Sequence, residues 1–406
     1  MAGGATPPVD EQSVGRDFSP VQWVALLVIV CSAFSSQMVM PLWVGSVIDD
    51  LGLSEAAAGR IGSFEFMAVA AVSLLVALRI QIFPTRKTAM AGIALLILGN
   101  MFSAFASSET ELIFTRILCG LGKGMVVAIV FSLAAGSSRP TRAFAMLNIV
   151  YALFSTVFYL VVPYSIQWNG AAGAFLTMAG VAMIGAMLLP RFPSERLASS
   201  ELTGLSLRAL PTFGFLAFAG LIILWSGHNM IWTFIERIGV RDGMDVRAIG
   251  AVLSLSAFLT IAGPGLVRLL DTRLGYGTPM IAAILLKMIA VLVAGYVVSS
   301  TAFTIAVPAF MFLTLFITPY VMGVLSLADP AGRLAAASSA AMTAGSSAGA
   351  WLGGAALDAL GYEGLSWGAF THFAVFAAIM IGIAPIANHY GRAKTGPKNQ
   401  SIGADS

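Results

Sequence analysis

Two cations inside an apolar stretch pose the first chemical question of this sequence. Within IFTRILCGLGKGMVVAIVFSL, in the run from Leu112 to Leu133, Arg116 and Lys123 stand seven residues apart. On a helix of 3.6 residues per turn, Arg116, Gly120 and Lys123 share one stripe. An ionisable group near the centre of a bilayer costs roughly 2.5–3.5 kcal/mol on insertion scales, so such groups are functional or paired. The other apolar runs hold Glu65, His228, Lys287 and His372. Three fixed cations and two histidines against one carboxylate make an electropositive interior, suited to an anion such as a carboxylate or phosphate ester. Glu65 admits three readings: an ion pair with Arg116 or Lys123, a proton carrier, or a group facing water in an outer vestibule. Lys287 faces either a central cavity or carbonyl partners between helices. At 1.5 Å per residue, Lys123 and Lys287 lie roughly 15 Å from the nearer helix start, too deep to snorkel. Arg116, about one turn in, is within snorkelling reach of the outer surface.

Neutral polar residues add two stripes. Asn148, Tyr151, Ser155 and Tyr159 form one polar face on an otherwise apolar helix. Lipid does not reward such a face, so it either lines a cavity or bonds a neighbouring helix. Trp225, His228, Asn229 and Trp232 share a second face, fit for a cavity or for an aromatic belt. Gln37, just before Met40 and Pro41, is a candidate substrate contact, whereas His372 beside Thr371 reads as structural. The substrate-binding candidates are therefore Gln37, Lys123, Asn148, Tyr151, Ser155, Tyr159, His228, Asn229, Trp232 and Lys287. Aromatic and apolar side chains would hold the body of a small organic anion while a cation orients its head group.

Enzymatic chemistry finds no foothold. The three histidines (His228, His372 and His389) are scattered, and neither HExxH nor Gly-x-Ser-x-Gly occurs. No metal or cofactor is expected. GLGKG lies inside an apolar run and lacks a following Ser or Thr, so it is no nucleotide-binding loop.

The elements that position these residues follow from composition. Of 406 residues, 58% are hydrophobic and 10% charged, where soluble domains carry about 25% charged residues. Apolar runs of about 20 residues predict spanning helices rather than a barrel. Hydropathy gives spans 1 to 6 over 21–47, 57–80, 88–107, 112–135, 143–165 and 171–190. Spans 7 to 12 cover 211–235, 247–269, 278–299, 301–326, 334–359 and 365–388. The expected fold is an all-α integral membrane protein, with twelve transmembrane helices in two pseudo-symmetric six-helix bundles. The predicted parts are a cytoplasmic tail (1–20), an N-terminal bundle (21–190), a linker (191–210), a C-terminal bundle (211–388) and a second tail (389–406). With both termini inside, fifteen Lys and Arg face the cytoplasm, against only Arg60, Arg237, Arg241 and Arg247 outside. That asymmetry satisfies the positive-inside rule and supports the span count. The 237–247 connection is expected as a short ordered outer loop. The first 20 residues lack a signal-peptide pattern. Cys31 and Cys119 lie in apolar runs and read as reduced core residues. The net charge of +3 resides mostly in loops and does not indicate a nucleic-acid partner.

Two six-helix blocks around a cytoplasmic linker resemble the major facilitator superfamily of secondary transporters. The best local match is RILCGLGKG, where Arg116, Gly120, Gly122 and Gly124 resemble the family's span-4 motif of an Arg and a glycine run. The resemblance implies proton coupling at Arg116, with Glu65 as its candidate partner; Lys123 departs from the motif. In the span 2–3 loop, ALRIQIFPTRK keeps only Arg86 and Lys87 of the family signature. The equivalent loop after span 8 carries Asp271, Arg273 and Gly275, so gating is expected to rely more on the second half. Span 5 lacks the Gly-Pro-x-x-Gly-Gly pattern of drug/proton antiporters, which favours symport. The resemblance implies a monomeric, multi-pass transporter of the inner (plasma) membrane, moving a small solute by alternating access with protons as partner. Proton-antiport efflux of drugs or metabolites is the alternative, and a non-transporting sensor the second.

Overall fold

A computed structural model describes residues 17–194, 211–263, 266, 277–329 and 333–394. The first half holds α1 (Pro20–Met38), α2 (Met40–Leu51), α3 (Glu55–Leu78), α4 (Thr85–Ser103), α5 (Glu109–Ala135) and α6 (Pro140–Leu188). The second holds α7 (Thr212–Thr233), α8 (Ile235–Arg241), α9 (Val246–Thr260), α10 (Gly277–Tyr296), α11 (Ser300–Ala328) and α12 (Arg333–Lys394). No strand occurs among the described residues.

Two helices are too long for one crossing. At 1.5 Å per residue, the 49 residues of α6 would far exceed a hydrocarbon core of about 30 Å. The chain reverses at Asn169 and Gly170, so α6 supplies spans 5 and 6. Gly170 has φ of 55°, and a Cβ there would lie 2.0 Å from Asp50 Oδ2. That carboxylate caps the returning helix by accepting from the Ala171 amide at 2.6 Å. The 62 residues of α12 turn in the same way at Gly361, supplying spans 11 and 12. Among the described residues, eight helices are long and apolar enough to cross a membrane, α6 and α12 included. Counting two crossings for each of those two, and adding α4 and the shorter α9, recovers the twelve spans.

Span 1 is broken where its sequence demands it. Proline has no amide hydrogen, so Pro41 leaves the Gln37 carbonyl without its helical partner. Val39 departs from helical geometry (φ −95°, ψ 20°), separating α1 from α2. The loosened carbonyls find side chains instead. Trp232 Nε1 donates to Gln37 O at 3.3 Å, Tyr159 Oη to Met38 O at 2.7 Å and Trp43 Nε1 to Ser36 O at 3.1 Å. The Trp232 bond ties the second half to the first.

The halves meet most closely at the end carrying Asp49, Glu109 and Arg237. Glycines make this possible: a Cβ on Gly59 would lie 2.5 Å from Ala350 O and 3.0 Å from Gly354 Cα. Ser63 and Ser347 share a 2.9 Å hydrogen bond, and Ser254 Oγ donates to Thr156 O at 2.8 Å. One apolar core, including Met38, Trp43 and Phe175 with Trp232 and Phe234, is continuous across both halves. A second, with Leu26, Ile93, Val126 and Leu147, belongs to the first half.

The 237–247 connection is not the expected loop. Its first residues belong to α8, in which Glu236, Arg237, Ile238 and Gly239 are buried. The helix persists because Arg237 gains carboxylate partners on both sides. The linker residues 195–210, the tails 1–16 and 395–406, and Asp271, Arg273 and Gly275 lie outside the described residues.

Candidate functional site

A central cavity opens between the halves. It is lined by Gln37 of α1, by Tyr151, Ala152, Ser155 and Tyr159 of α6, and by Trp225, His228, Asn229 and Trp232 of α7. Ala257 and Thr260 of α9 and Met311, Thr314 and Leu315 of α11 complete the wall. Its volume open to water centres is about 90 Å³. The α7 contribution follows from spacing, since positions i, i+3, i+4 and i+7 occupy one helical face. No carboxylate appears among the described residues of this wall.

Behind the wall stands a buried lysine from each half. Lys123 is 1% exposed and donates to Gln37 Oε1. Its Nζ lies 5.2 Å from the centre of the Phe34 ring and 5.4 Å from that of Phe66. Such faces attract a cation through the ring quadrupole. Lys287 is fully buried, donating to Phe310 O at 3.0 Å and to Thr314 Oγ1. It also lies 3.5 Å from His228 Nδ1 and 3.4 Å from the centre of the Phe310 ring. Neither lysine touches the cavity directly; Gln37 and the Thr314–His228 pair intervene.

Arg116 and Glu65 form a separate cluster within the first half. Arg116 is completely buried and does not snorkel, contrary to what its position near a helix end suggests. Its guanidinium donates to Ser103 Oγ at 2.6 Å and Asn100 Oδ1 at 2.9 Å, and lies 4.8 Å from the Phe175 ring centre. These partners, all supplied by neighbouring helices, draw it inward. Glu65 Oε2 accepts from Ser36 Oγ at 2.9 Å and stands 3.7 Å from Arg116 Nη1. Glu65 is 5% exposed, so the open outer-vestibule reading fails. The glycines of the span-4 motif have a packing role: a Cβ on Gly120 would lie 2.4 Å from Glu65 O.

The remaining candidates scatter. Asn148 is exposed, bonds Phe144 O on its own helix and stands apart from the cavity wall. Its stripe-mates one turn and more further along α6 do reach the wall. Arg86 is half-buried and Lys87 exposed at the start of α4, distant in sequence from every lining residue. His372 Nδ1 pairs with Gly368 O at 2.8 Å, in keeping with a structural place. Sequence reasoning missed Thr314, Thr260 and Met311, single polar or soft positions in helices without a polar stripe.

An ion-pair cluster joins the halves beyond the cavity. Arg237 donates to Asp49 Oδ1 and Oδ2 at 2.6 and 2.7 Å, and to Glu236 Oε2 at 2.7 Å. Burial pushes the Glu236 carboxyl above the usual carboxylate range, against the opposing hydrogen bond from Arg237. For Arg237, burial opposes the charge, but the bonds to Asp49 and Glu236 prevail and raise its value.

Two helical bundles packed face to face around a largely apolar cavity with a few polar groups are the build of a secondary transporter. The family follows from the sequence: residues 25–354 match the Major Facilitator Superfamily model, and the chain belongs to that family. It is a family of transporters, not of enzymes. Solved structures agree on the fold. The peptide transporter POT, in a mutant form, superposes with a TM-score of 0.73 at 14% identity, covering 95% of this chain and 100% of that one. The nucleoside transporter NupG gives a TM-score of 0.70 at 13% identity, covering 92% and 98%. A bacterial homolog of the human lysosomal transporter Spinster gives 0.64 at 15% identity, covering 93% and 98%. No curated protein sequence matches the chain.

Proposed function

We propose that this protein carries a small organic anion, such as a carboxylate, across the inner membrane by alternating access with proton coupling. The observation that carries the reading is the cavity itself. Its wall contains no carboxylate among the described residues, and a lysine from each half stands one residue behind it, Lys123 through Gln37 and Lys287 through Thr314 and His228. Glu65 acts on Lys123 only from beyond ion-pair distance, and a buried cation with no carboxylate in contact among the described residues favours anionic company in a medium of low dielectric. The rings of Tyr151, Tyr159, Trp225 and Trp232 would hold an apolar or aromatic body.

Coupling is assigned to the Glu65–Ser36–Arg116 cluster, where one carboxylate faces a fixed guanidinium through a shared hydroxyl. Symport is the favoured direction, with the protein acting as a monomer and both termini in the cytoplasm. Purified protein in liposomes tests this. Labelled organic anions are expected to accumulate under an inward proton gradient and only to equilibrate without one. Accumulation indifferent to the gradient removes proton coupling. In the same vesicles, Lys123→Met is expected to raise the apparent Michaelis constant for a carboxylate about tenfold, equivalent to about 1.4 kcal/mol. Equal losses for a carboxylate and its neutral amide would make Lys123 structural.

A further inference from the structure

His228 is the lining residue whose chemistry the wall alone does not settle, since a neutral imidazole donates from one nitrogen and accepts at the other. Its ring is clamped: it stacks on Phe310 at 4.8 Å and 16°, lies parallel to Trp232 at 6.2 Å and 9°, and meets Trp225 edge-on at 5.4 Å. Nδ1 lies 3.1 Å from Oγ1 of the lining residue Thr314 and 3.5 Å from Nζ of Lys287, which stands behind the wall.

Thr314 by itself leaves both tautomers open. Its hydroxyl can donate to Nδ1, or it can accept from an Nδ1–H while donating to Phe310 O at 2.9 Å. Lys287 breaks the tie. When Lys287 carries its proton it has donors only, so a hydrogen on Nδ1 would point at a cation, whereas a lone pair there is attracted to it. Nε2 has no protein partner among the described residues, and the 9% of His228 that remains exposed borders the cavity.

We infer that Lys287 is a positioning residue that holds His228 with its hydrogen on Nε2, offering the substrate a fixed N–H donor. The group docked at this wall is then an acceptor: a carboxylate or phosphate oxygen, or a carbonyl. An ammonium group is disfavoured there. The inference rests on reading the cavity as the substrate site, and it gives Lys287 an indirect role in place of direct contact.

The test needs no substrate. The chain has three histidines, so nitrogen NMR of protein labelled with ¹⁵N-histidine is tractable, and a His228→Gln sample assigns the His228 signals. Wild-type protein is expected to show the shifts of an Nε2–H imidazole at His228. Thr314→Val should keep that tautomer, because Lys287 still faces Nδ1. Lys287→Met, which places an apolar side chain among Phe310 and Phe373, should shift the population toward Nδ1–H bonded to Thr314. An Nδ1–H or doubly protonated ring in the wild type overturns the inference. So does an unchanged tautomer in Lys287→Met. If the tautomers behave as expected while liposomes transport no anion, the positioning role stands and the proposed function falls.

Discussion

At the scale of single residues, Arg116, Lys123 and Lys287, buried within the spans, solve one problem in different ways. Arg116 is enclosed by hydroxyls, an amide oxygen, an aromatic ring and Glu65. Lys287 instead relies on rings and neutral oxygens, and Lys123 on the same kinds of group with Glu65 acting at longer range. Removing one partner of a buried charge pair leaves the other uncompensated, typically at about 3–5 kcal/mol. Arg116→Met is therefore expected to lower thermal stability by an amount of that order, and Glu65→Met in the same chain to recover most of it. A double variant no more stable than the single one would show that Glu65 and Arg116 are not coupled. Glu65→Gln keeps an acceptor for Ser36 but carries no titratable proton. It is expected to retain substrate exchange and to lose accumulation driven by a proton gradient; preserved accumulation excludes Glu65 as the carrier. The presence of these ionisable groups was legible in the sequence, because charges stand out in apolar runs. Their partners were not. Whether Glu65 met Arg116 or water depended on the packing of α1, α3 and α5, which no spacing along one helix encodes.

At the scale of elements, closure at the Asp49 end depends on two helices that touch through backbone. A Cβ on Gly354 would lie 2.5 Å from Glu55 O and 3.1 Å from Gly59 Cα, atoms with no flexible end to yield. Gly354→Leu is therefore expected to hold α3 and α12 apart, leaving the protein folded but blocking transport. Spin labels at Thr110 and Asp358, both near this end, should report a longer separation in the variant. An unchanged distance distribution would mean that the seam does not control closure. Small residues in span 11 permit such contact, but nothing in the sequence names α3 as the partner of Gly354. The break in α1 shows the same limit. Pro41 announces a freed carbonyl, yet only the fold supplies Trp232 from the other half to meet it. Likewise, the stripe on α6 correctly marks an unusual face, while its first member, Asn148, falls beyond the cavity. A helical stripe of about three turns is longer than the cavity it serves.

At the scale of the whole molecule, hydropathy and the Lys/Arg asymmetry sufficed for twelve crossings in two halves, because a bilayer imposes length and polarity on every span. What holds the halves together at one end was hidden in the 237–247 region, whose mixed charges resemble any solvated loop. Folded, they become α8 and the Asp49–Arg237–Glu236 cluster, a polar clasp between the bundles. Its pH dependence has a definite sign. Burial raises the Glu236 carboxyl in the folded protein, so the folded state binds this proton more tightly than the unfolded chain. Stability from this group is greatest below the ordinary carboxylate value of about 4.3 and falls as pH rises toward the raised value. Glu236→Gln is expected to remove that component and flatten the decline of melting temperature with pH across the acidic range. Coincident pH profiles for the two proteins would assign the decline to other groups. Arg237→Met cuts both arms of the clasp at once, and the same Thr110–Asp358 label pair should then sample wider separations at neutral pH. If instead the pair stays close, the glycine seam alone closes this end and the clasp is dispensable.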